Sequence, residues 1–222
     1  PSGSLWFWDI ALEGRGETVD IIYGQDIGMA DQAAVLENEL YASQYLGHTA
    51  LEDSRGFHIC SRQNLPQNDA FPFLQQGMLN GKAMGYSTDG LQFFGLSCKA
   101  RNIPAALSKN LESKVLQSES GYIALQSNSV TLTEKKSFTF YGLFLSDHPR
   151  KVSALESIDQ ILSAYHALPV ETEYEALPRI KVRPLFGKPF SSPLWGKTMT
   201  DHIFPHKKLE EYARGRLLSF FL

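Results

Sequence analysis

Along the first two thirds of the chain, short apolar runs alternate with turn residues, a pattern that predicts strands separated by tight turns. Three turns place glycine after asparagine, aspartate or serine, at residues 80–81, 89–90 and 120–121. The predicted strands comprise residues 4–11, 18–23, 56–62, 92–98, 121–126, 128–133 and 137–145. Several short strands at this spacing predict a mainly β fold, and the expected architecture is a large antiparallel β-sandwich.

The strand predicted at 137–145, SFTFYGLFL, is apolar on both of its alternating faces. A strand with one face in water would instead alternate apolar and polar side chains. We therefore expect this strand to lie inside a sheet and to be covered on both faces.

Residues 31–45 depart from the strand pattern. Apolar side chains recur there near helical spacing, at Ala33, Ala34, Leu36, Leu40, Tyr41 and Tyr45. Local propensity therefore predicts a helix over this stretch.

A second helix is predicted over residues 149–168. Asp147 is a candidate N-cap, Pro149 fits a first helical turn, and Pro169 ends the pattern. Between them runs an apolar stripe of period 3.6, formed by Val152, Leu155, Ile158, Ile161, Leu162 and Tyr165. We expect this amphipathic helix to follow a β-sandwich domain at 1–148.

From residue 169 the composition changes. Prolines recur at positions 169, 178, 184, 189, 193 and 205. Such a stretch is typical of an extended connector, so residues 169–222 are predicted to lead into a further domain. Because the chain lacks a starting methionine and ends on the apolar run LLSFFL, we expect a fragment of a longer protein.

Composition and charge narrow the function classes. Of the 222 residues, 43% are hydrophobic, which predicts a packed core. A net charge of -3 argues against a nucleic-acid partner. No apolar run approaches the roughly 20 residues of a membrane span, so no membrane partner is expected. A cytoplasmic location is expected as well. Cys60 and Cys98 could form one disulfide, but two free buried thiols are favoured.

Residues 23–48 hold the most suggestive chemistry. The segment places amides and carboxylates among three tyrosines. Amides and carboxylates hydrogen-bond sugar hydroxyls, and aromatic rings stack on pyranose faces, although a polar surface helix can have the same composition. The candidate substrate-binding residues are Tyr23, Gln25, Asp26 and Tyr45.

Carboxylate pairs and aromatic clusters leave alternatives open. Asp26 with Asp31, or Glu37 with Glu39, could supply an acid and a base to a glycosidic bond, but solvated or turn-capping carboxylates are favoured. A sugar platform could also form from aromatic side chains. The candidates are Trp6, Phe7, Trp8 and Trp195, but for the three near-consecutive aromatics of the strand, core packing with one exposed ring is favoured over such a platform.

Motifs for other chemistry are missing from the sequence. It contains neither a Walker phosphate loop nor a GxSxG nucleophile elbow. His202 and His206 have the spacing of a metal pair, but Pro205 lies between them and a solvated loop is favoured. No metal site is expected.

Two groups of motifs resemble a known family. Residues 85–107 read GYSTDGLQFFGLSCKARNIPAAL, and residues 121–167 read GYIALQSNSVTLTEKKSFTFYGLFLSDHPRKVSALESIDQILSAYHA. This order resembles the N-terminal β-sandwich of the cellobiose-phosphorylase-type glycoside phosphorylases, the former glycosyltransferase family 36. YGQDIG at 23–28 and NELYASQYLGH at 38–48 are most similar to the 1,2-β-oligoglucan phosphorylase branch.

The resemblance implies a galactose-mutarotase-like supersandwich, a linker helix and then an (α/α)6 barrel that carries the catalytic aspartate and the phosphate site. The implied reaction is the inverting phosphorolysis of β-glucan oligosaccharides, with inorganic phosphate as co-substrate and no other cofactor. No catalytic residue is therefore expected in this chain. Its implied roles are to support the barrel, to contribute to homodimer contacts and to bind substrate. The resemblance also implies only a short helix or an irregular excursion at 31–45.

Three alternatives remain. The chain could be a free-standing carbohydrate-binding module or the phosphorylase-like region of a cyclic β-1,2-glucan synthase. It could also be a self-contained enzyme with a site centred on Asp26.

Overall fold

The computed structural model describes residues 3–96, 98, 102–117, 120–168, 201–202, 204–213 and 216–221. The chain divides into two compact units, Pro1–Pro169 and Val170–Leu222. The strands are β1 (Gly3–Leu12), β2 (Thr18–Val19), β3 (Ile22–Asp26), β4 (Leu46–Asp53), β5 (Gly56–Gln63), β6 (Phe73–Asn80), β7 (Ala83–Ser87), β8 (Tyr122–Ser127), β9 (Val130–Thr131), β10 (Lys136–Leu145), β11 (Lys208–Ala213) and β12 (Arg216–Phe221). The helices are α1 (Gln32–Ser43), α2 (Gly90–Phe94) and α3 (Ile158–His166), with a 3-10 turn at Ala105–Leu107.

An eight-stranded sheet organises the first unit, in the order β1-β10-β6-β5-β7-β8-β3, with β4 paired to β5. Its pairs are antiparallel except for one parallel bridge between Gly56 and Ala83. The sheet is curled. The mainly β fold is thus confirmed, and the curled sheet is consistent with the expected sandwich.

Strand β10 has the central position that its sequence predicts. It pairs with β1 on one side and with β6 on the other. Both of its faces are covered, because Phe140 packs into the largest core cluster while Tyr141 and Leu143 pack into another. Two-sided burial explains why its sequence has no polar face.

The two faces of the sheet bury different cores. One face holds the large cluster, with Ile59, Leu74 and Phe140 among its buried members. On the opposite face, Ile161 of helix α3 packs against Tyr141. Helix α3 therefore covers the sheet face opposite the large cluster.

The predicted strands at 4–11, 56–62, 121–126 and 137–145 are confirmed as β1, β5, β8 and β10. The strand predicted at 18–23 divides into β2 and the start of β3, and the one at 128–133 shortens to β9. Strands β4, β6 and β7 were not predicted. Each contains a glycine, and β6 and β7 also contain buried polar residues, so the alternation of apolar and polar positions is interrupted.

The strand predicted at 92–98 is wrong, because helix α2 occupies much of this stretch. The Asp89 carboxylate accepts hydrogen bonds from the backbone N–H groups of Leu91 and Gln92, which caps the helix. Gly95 then ends it with a φ of 71°, in the left-handed region that favours glycine. A cap and a glycine thus override the strand propensity of the apolar run.

The helix predicted at 31–45 is confirmed as α1, although it is not continuous. Asn38 interrupts it with φ -160° and ψ 77°. Its apolar residues do not form a packed stripe, since Leu36 and Leu40 are exposed. This interruption agrees with the irregular excursion that the family resemblance implies.

The second predicted helix begins later than expected, at Ile158 instead of residue 149. Asp147 does not cap it, because its carboxylate accepts a hydrogen bond from the Phe71 backbone N–H at 2.9 Å. The apolar positions before the helix still reach the core. Val152 is buried beside Cys60 and Phe73 without helical structure.

Within the second unit, β11 and β12 form an antiparallel pair. This hairpin replaces the extended connector predicted for its residues, whereas residues 169–200 of that prediction lie outside the described residues. Among the described residues, no helix has the length and apolar character needed to cross a membrane. Both cysteines are free, Cys60 being buried and Cys98 only partly so.

Candidate functional site

Side chains from opposite ends of the sheet meet to form the candidate site. Strands β1 and β3 are the first and last in the strand order, yet the Trp6 indole Nε1 donates to the Tyr23 hydroxyl at 3.4 Å. A cavity of about 460 Å³ lies there, lined by Trp6, Phe7, Trp8, Tyr23, Gly24 and Gln25. We call it the β1–β3 groove.

Tyr23 and Gln25 lie two residues apart on β3, so both side chains project from the same face of the strand. The Tyr23 ring stacks on Phe140, with 5.3 Å between centroids, and its hydroxyl donates to Gln25 Oε1 at 2.6 Å. Gln76 Nε2, which is buried, donates to the same oxygen at 2.8 Å. Two donors therefore fix the orientation of the Gln25 amide.

The Gln25 Nε2 group has no hydrogen-bond partner within the described part of the chain. An amide nitrogen carries two N–H donors. Because Gln25 lines the groove, these donors are available to a ligand there.

Trp6 and Trp8 share a face of β1, but their surroundings differ. Trp6 packs against the large core cluster, and its ring lies over Gly142, where an added Cβ would approach to 2.2 Å. Trp8 is 56% exposed. Phe7 points to the opposite face and packs near Tyr141. Core packing with one exposed ring, as predicted, is confirmed for these three residues, whereas Trp195 lies outside the described residues.

A second cavity, of about 430 Å³, continues the groove because it shares Trp6 and Gln25 with the first. Its other lining residues are Ser4, Asp26, Ile27, Gly28, Met29, Ala30, Leu74 and Phe144. Asp26 is exposed, and its carboxylate makes no hydrogen bond or ion pair with any described residue. The two cavities together offer an aromatic wall and the amide donors of Gln25.

Three of the four predicted substrate-binding residues, Tyr23, Gln25 and Asp26, therefore line the two cavities. The Asp26 side chain lies on the face of β3 opposite those of Tyr23 and Gln25, because it is the cross-strand neighbour of Tyr122. Tyr45 does not line it. Its ring packs edge-on against Tyr41 at 5.2 Å between centroids, and the two hydroxyls are 3.0 Å apart. That hydrogen bond raises the pKa of Tyr45.

The carboxylate pairs considered from the sequence are not arranged as an acid and base across the groove. Asp31 lies at the start of α1, where its carboxylate accepts from Asn68 Nδ2 at 2.9 Å. Glu37 and Glu39 are exposed on α1. Asp26 is thus the only carboxylate among the described residues that line the two cavities.

A buried polar network on the other face of the sheet was not predicted. His58 Nε2 lies 3.0 Å from Asp53 Oδ1, and its Nδ1 lies 2.8 Å from the Tyr141 hydroxyl. Gln75 Nε2 donates to the same hydroxyl at 3.0 Å, while Gln75 Oε1 accepts from the Glu156 backbone N–H at 2.8 Å. The network therefore anchors the segment before α3 to the sheet.

The electrostatics of this network follow from burial. Burial lowers the pKa of His58, so its neutral form is favoured against the opposing effect of Asp53. For Asp53, burial alone would raise the pKa, but hydrogen bonds from Arg55 and His58 outweigh it and hold that pKa well below its usual range. A neutral His58 then donates to Asp53 and accepts from Tyr141, which satisfies both ring nitrogens.

His202 and His206 show no metal-binding arrangement. Both are exposed, and the neighbouring Asp201 forms an ion pair with Lys207 at 2.5 Å. The described residues contain no group of three histidine, cysteine, aspartate or glutamate side chains placed to hold a metal ion.

Comparison with known proteins gives two findings. The sequence profile described as "SOGP N-terminal domain" matches residues 1–142. A 1,2-beta-oligoglucan phosphorylase of Listeria innocua serovar 6a is 36% identical over 97% of this chain. The matched region amounts to 19% of the length of that relative.

Proposed function

This chain belongs to the SOGP N-terminal domain family, and from that premise we propose that it is the non-catalytic β-sandwich portion of an inverting glycoside phosphorylase. The observation that carries the proposal is the 36% identity to a 1,2-beta-oligoglucan phosphorylase along nearly the whole chain. The motif resemblance to that phosphorylase branch is confirmed by the same comparison.

The proposed reaction of the whole protein is the reversible phosphorolysis of β-1,2-linked gluco-oligosaccharides. An oxygen of inorganic phosphate attacks the anomeric carbon, the glycosidic C–O bond breaks, and a carboxylic acid protonates the departing oxygen. Inversion of a β linkage gives α-glucose 1-phosphate and a shortened oligosaccharide. We assign the acid and the phosphate site to the (α/α)6 barrel that the resemblance implies.

The charge of the two cavities supports a non-catalytic role for this chain. A phosphorylase site must hold inorganic phosphate, and no lysine, arginine or histidine is among the described residues that line these cavities. Exposed apolar side chains support a role in contacts with the rest of the protein or with a second copy. They include Leu36, Leu91, Leu96, Ile103 and Leu107.

The test compares the full-length protein with the 222-residue chain. Each is incubated with a β-1,2-linked glucotetraose and inorganic phosphate, and glucose 1-phosphate is measured enzymatically. Full-length protein should release it only when phosphate is present, and the chain alone should release none. Turnover by the isolated chain would overturn the assignment of a non-catalytic role.

A free-standing carbohydrate-binding module is the second candidate, and the β1–β3 groove favours it. The two candidates differ in what the full-length protein does. A binding module would leave full-length protein without phosphorolytic activity on any gluco-oligosaccharide, even though the chain binds sugar.

A further inference from the structure

We propose that the β1–β3 groove is a non-catalytic binding site for a β-linked gluco-oligosaccharide, with Trp8 as the stacking platform and Gln25 as the hydrogen-bond donor. The choice of sugar rests on the function proposed above. The site itself rests on the geometry of the two cavities and their polar groups.

The aromatic wall has one ring held in place and one ring free. Trp6 is fixed by packing over Gly142 and by its contact with the Tyr23 hydroxyl. Trp8, on the same strand face, is 56% exposed at the mouth of the cavity that it lines. An exposed indole beside a rigid one gives a pyranose face a surface on which to stack without rearrangement of the core.

The polar groups complement sugar hydroxyls. Gln25 cannot rotate freely, because Tyr23 and Gln76 both donate to its Oε1. Its two N–H donors are therefore preorganised for a hydroxyl oxygen.

The charge of the groove favours a neutral ligand. Among the described residues that line the two cavities there is no lysine, arginine or histidine, and the single charged side chain is Asp26. A phosphate or another anion would lack a cationic partner there. A neutral oligosaccharide meets no such penalty, and the linked cavities have the volume range of ligand sites.

Isothermal titration of the 222-residue chain with a β-1,2-linked glucotetraose tests the proposal. We expect millimolar binding, weakened about fivefold or more by Trp8→Ala and by Gln25→Ala, because each removes one stacking or hydrogen-bonding contact. Tyr41→Ala and Gln32→Ala remove an exposed aromatic ring and an exposed amide outside the groove, and they should bind as the unaltered chain does. Trp8→Phe, which keeps a ring, should retain most of the affinity.

Two results would overturn the site. One is the absence of binding at about 10 mM sugar, a concentration above the dissociation constant expected of a working site. The other is binding that Trp8→Ala and Gln25→Ala leave unchanged, which would locate the sugar elsewhere. Circular dichroism of each variant separates lost binding from lost folding, and Trp8 and Gln25 are both outside the fully buried core.

The titration of the groove and the phosphorolysis assay can fail separately. If full-length protein fails to phosphorolyse β-1,2-glucan, the phosphorylase assignment fails, while the titration still decides the groove. If phosphorolysis occurs and the titration shows no binding, the function stands and the groove proposal fails.

Discussion

The Tyr23 hydroxyl donates to Gln25 Oε1 at 2.6 Å, while the Gln25 amide nitrogen has no partner among the described residues. Removing the hydroxyl in Tyr23→Phe should loosen the Gln25 side chain, which then keeps only the Gln76 contact. We expect sugar affinity to fall by a factor of about two to five and the free energy of unfolding to fall by about 1 kcal/mol. Calorimetric titration and urea unfolding measure the two effects.

For this prediction Tyr45→Phe is the matched control, because it also removes a tyrosine hydroxyl that hydrogen-bonds another side chain. The control should leave sugar affinity unchanged. Equal losses of affinity in the two variants would contradict the assigned role of Tyr23.

Gly77→Ala should disrupt the buried network opposite the groove. A Cβ at position 77 would lie 2.1 Å from His58 Nδ1 and 2.8 Å from a ring carbon of Tyr141. Overpacking of this kind costs about 1–3 kcal/mol, and a lost buried hydrogen bond adds to it. Urea denaturation should show the decrease in the free energy of unfolding.

Gly28→Ala provides the comparison, since a Cβ there meets only Val35, at 3.3 Å from Cγ2 and 3.9 Å from Cγ1. That variant should be clearly less destabilised. A Gly77→Ala protein as stable as the unaltered chain would show that the His58–Tyr141 contact does not require glycine at this position.

Two histidines, His48 partly buried and His58 fully buried, predict a loss of stability in mild acid. Burial lowers the pKa of His48 to about 4, against the raising effect of Asp89, and burial also lowers the pKa of His58. Between the ordinary value of 6.5 and the lowered values, the unfolded chain binds protons that the folded chain does not. The free energy of unfolding should therefore decrease as the pH falls from 6.5 towards 4.

Chemical unfolding at several pH values measures this slope. His48→Gln retains a polar side chain beside Ser61 but removes one titrating group, so its slope should be shallower. An identical slope in the variant would exclude His48 as a source of the acid sensitivity.

The two thiols should react at very different rates. Burial raises the pKa of Cys60 to about 12, so almost no thiolate forms near neutral pH, and the side chain is inaccessible. Cys98 is partly exposed. Ellman's reagent at pH 8 should modify one thiol in the folded chain and two in denaturant, and Cys98→Ser should abolish the fast reaction. Rapid modification of Cys60 in the folded Cys98→Ser variant would contradict its burial.

Local pattern predicted much of the sheet, because strands such as β10 and β8 are dense in apolar residues that need no distant partner to be recognised. Strand β6 was missed because Gln75 and Gln76 interrupt its apolar pattern although both are buried. Gln75 is satisfied by Glu156, 81 residues away in sequence. Pairing at such a distance leaves no local signal.

The same limit applies to the helices. Asp147 has the residue type of an N-cap, but its carboxylate bonds to the distant Phe71 N–H, so α3 starts later. At α2 the relevant signals, Asp89 and Gly95, were present in the sequence, but the apolar run between them was interpreted as a strand.

For the candidate site, composition predicted Tyr23, Gln25 and Asp26 because amides, carboxylates and rings are concentrated there. All three line the two cavities, and their role in binding stays a prediction. Composition could not show that Trp6 joins them, since β1 and β3 meet only through the curl of the sheet. Tyr45 had the same local appearance, yet it packs on Tyr41 instead.

A phosphorus NMR time course of the full-length protein with a β-1,2-linked glucotetraose and inorganic phosphate tests the proposed phosphorolysis most directly. We expect the resonance of α-glucose 1-phosphate from the full-length protein and none from the 222-residue chain. Release of free glucose at the same rate without phosphate, or formation of the β-anomer, would contradict an inverting phosphorylase.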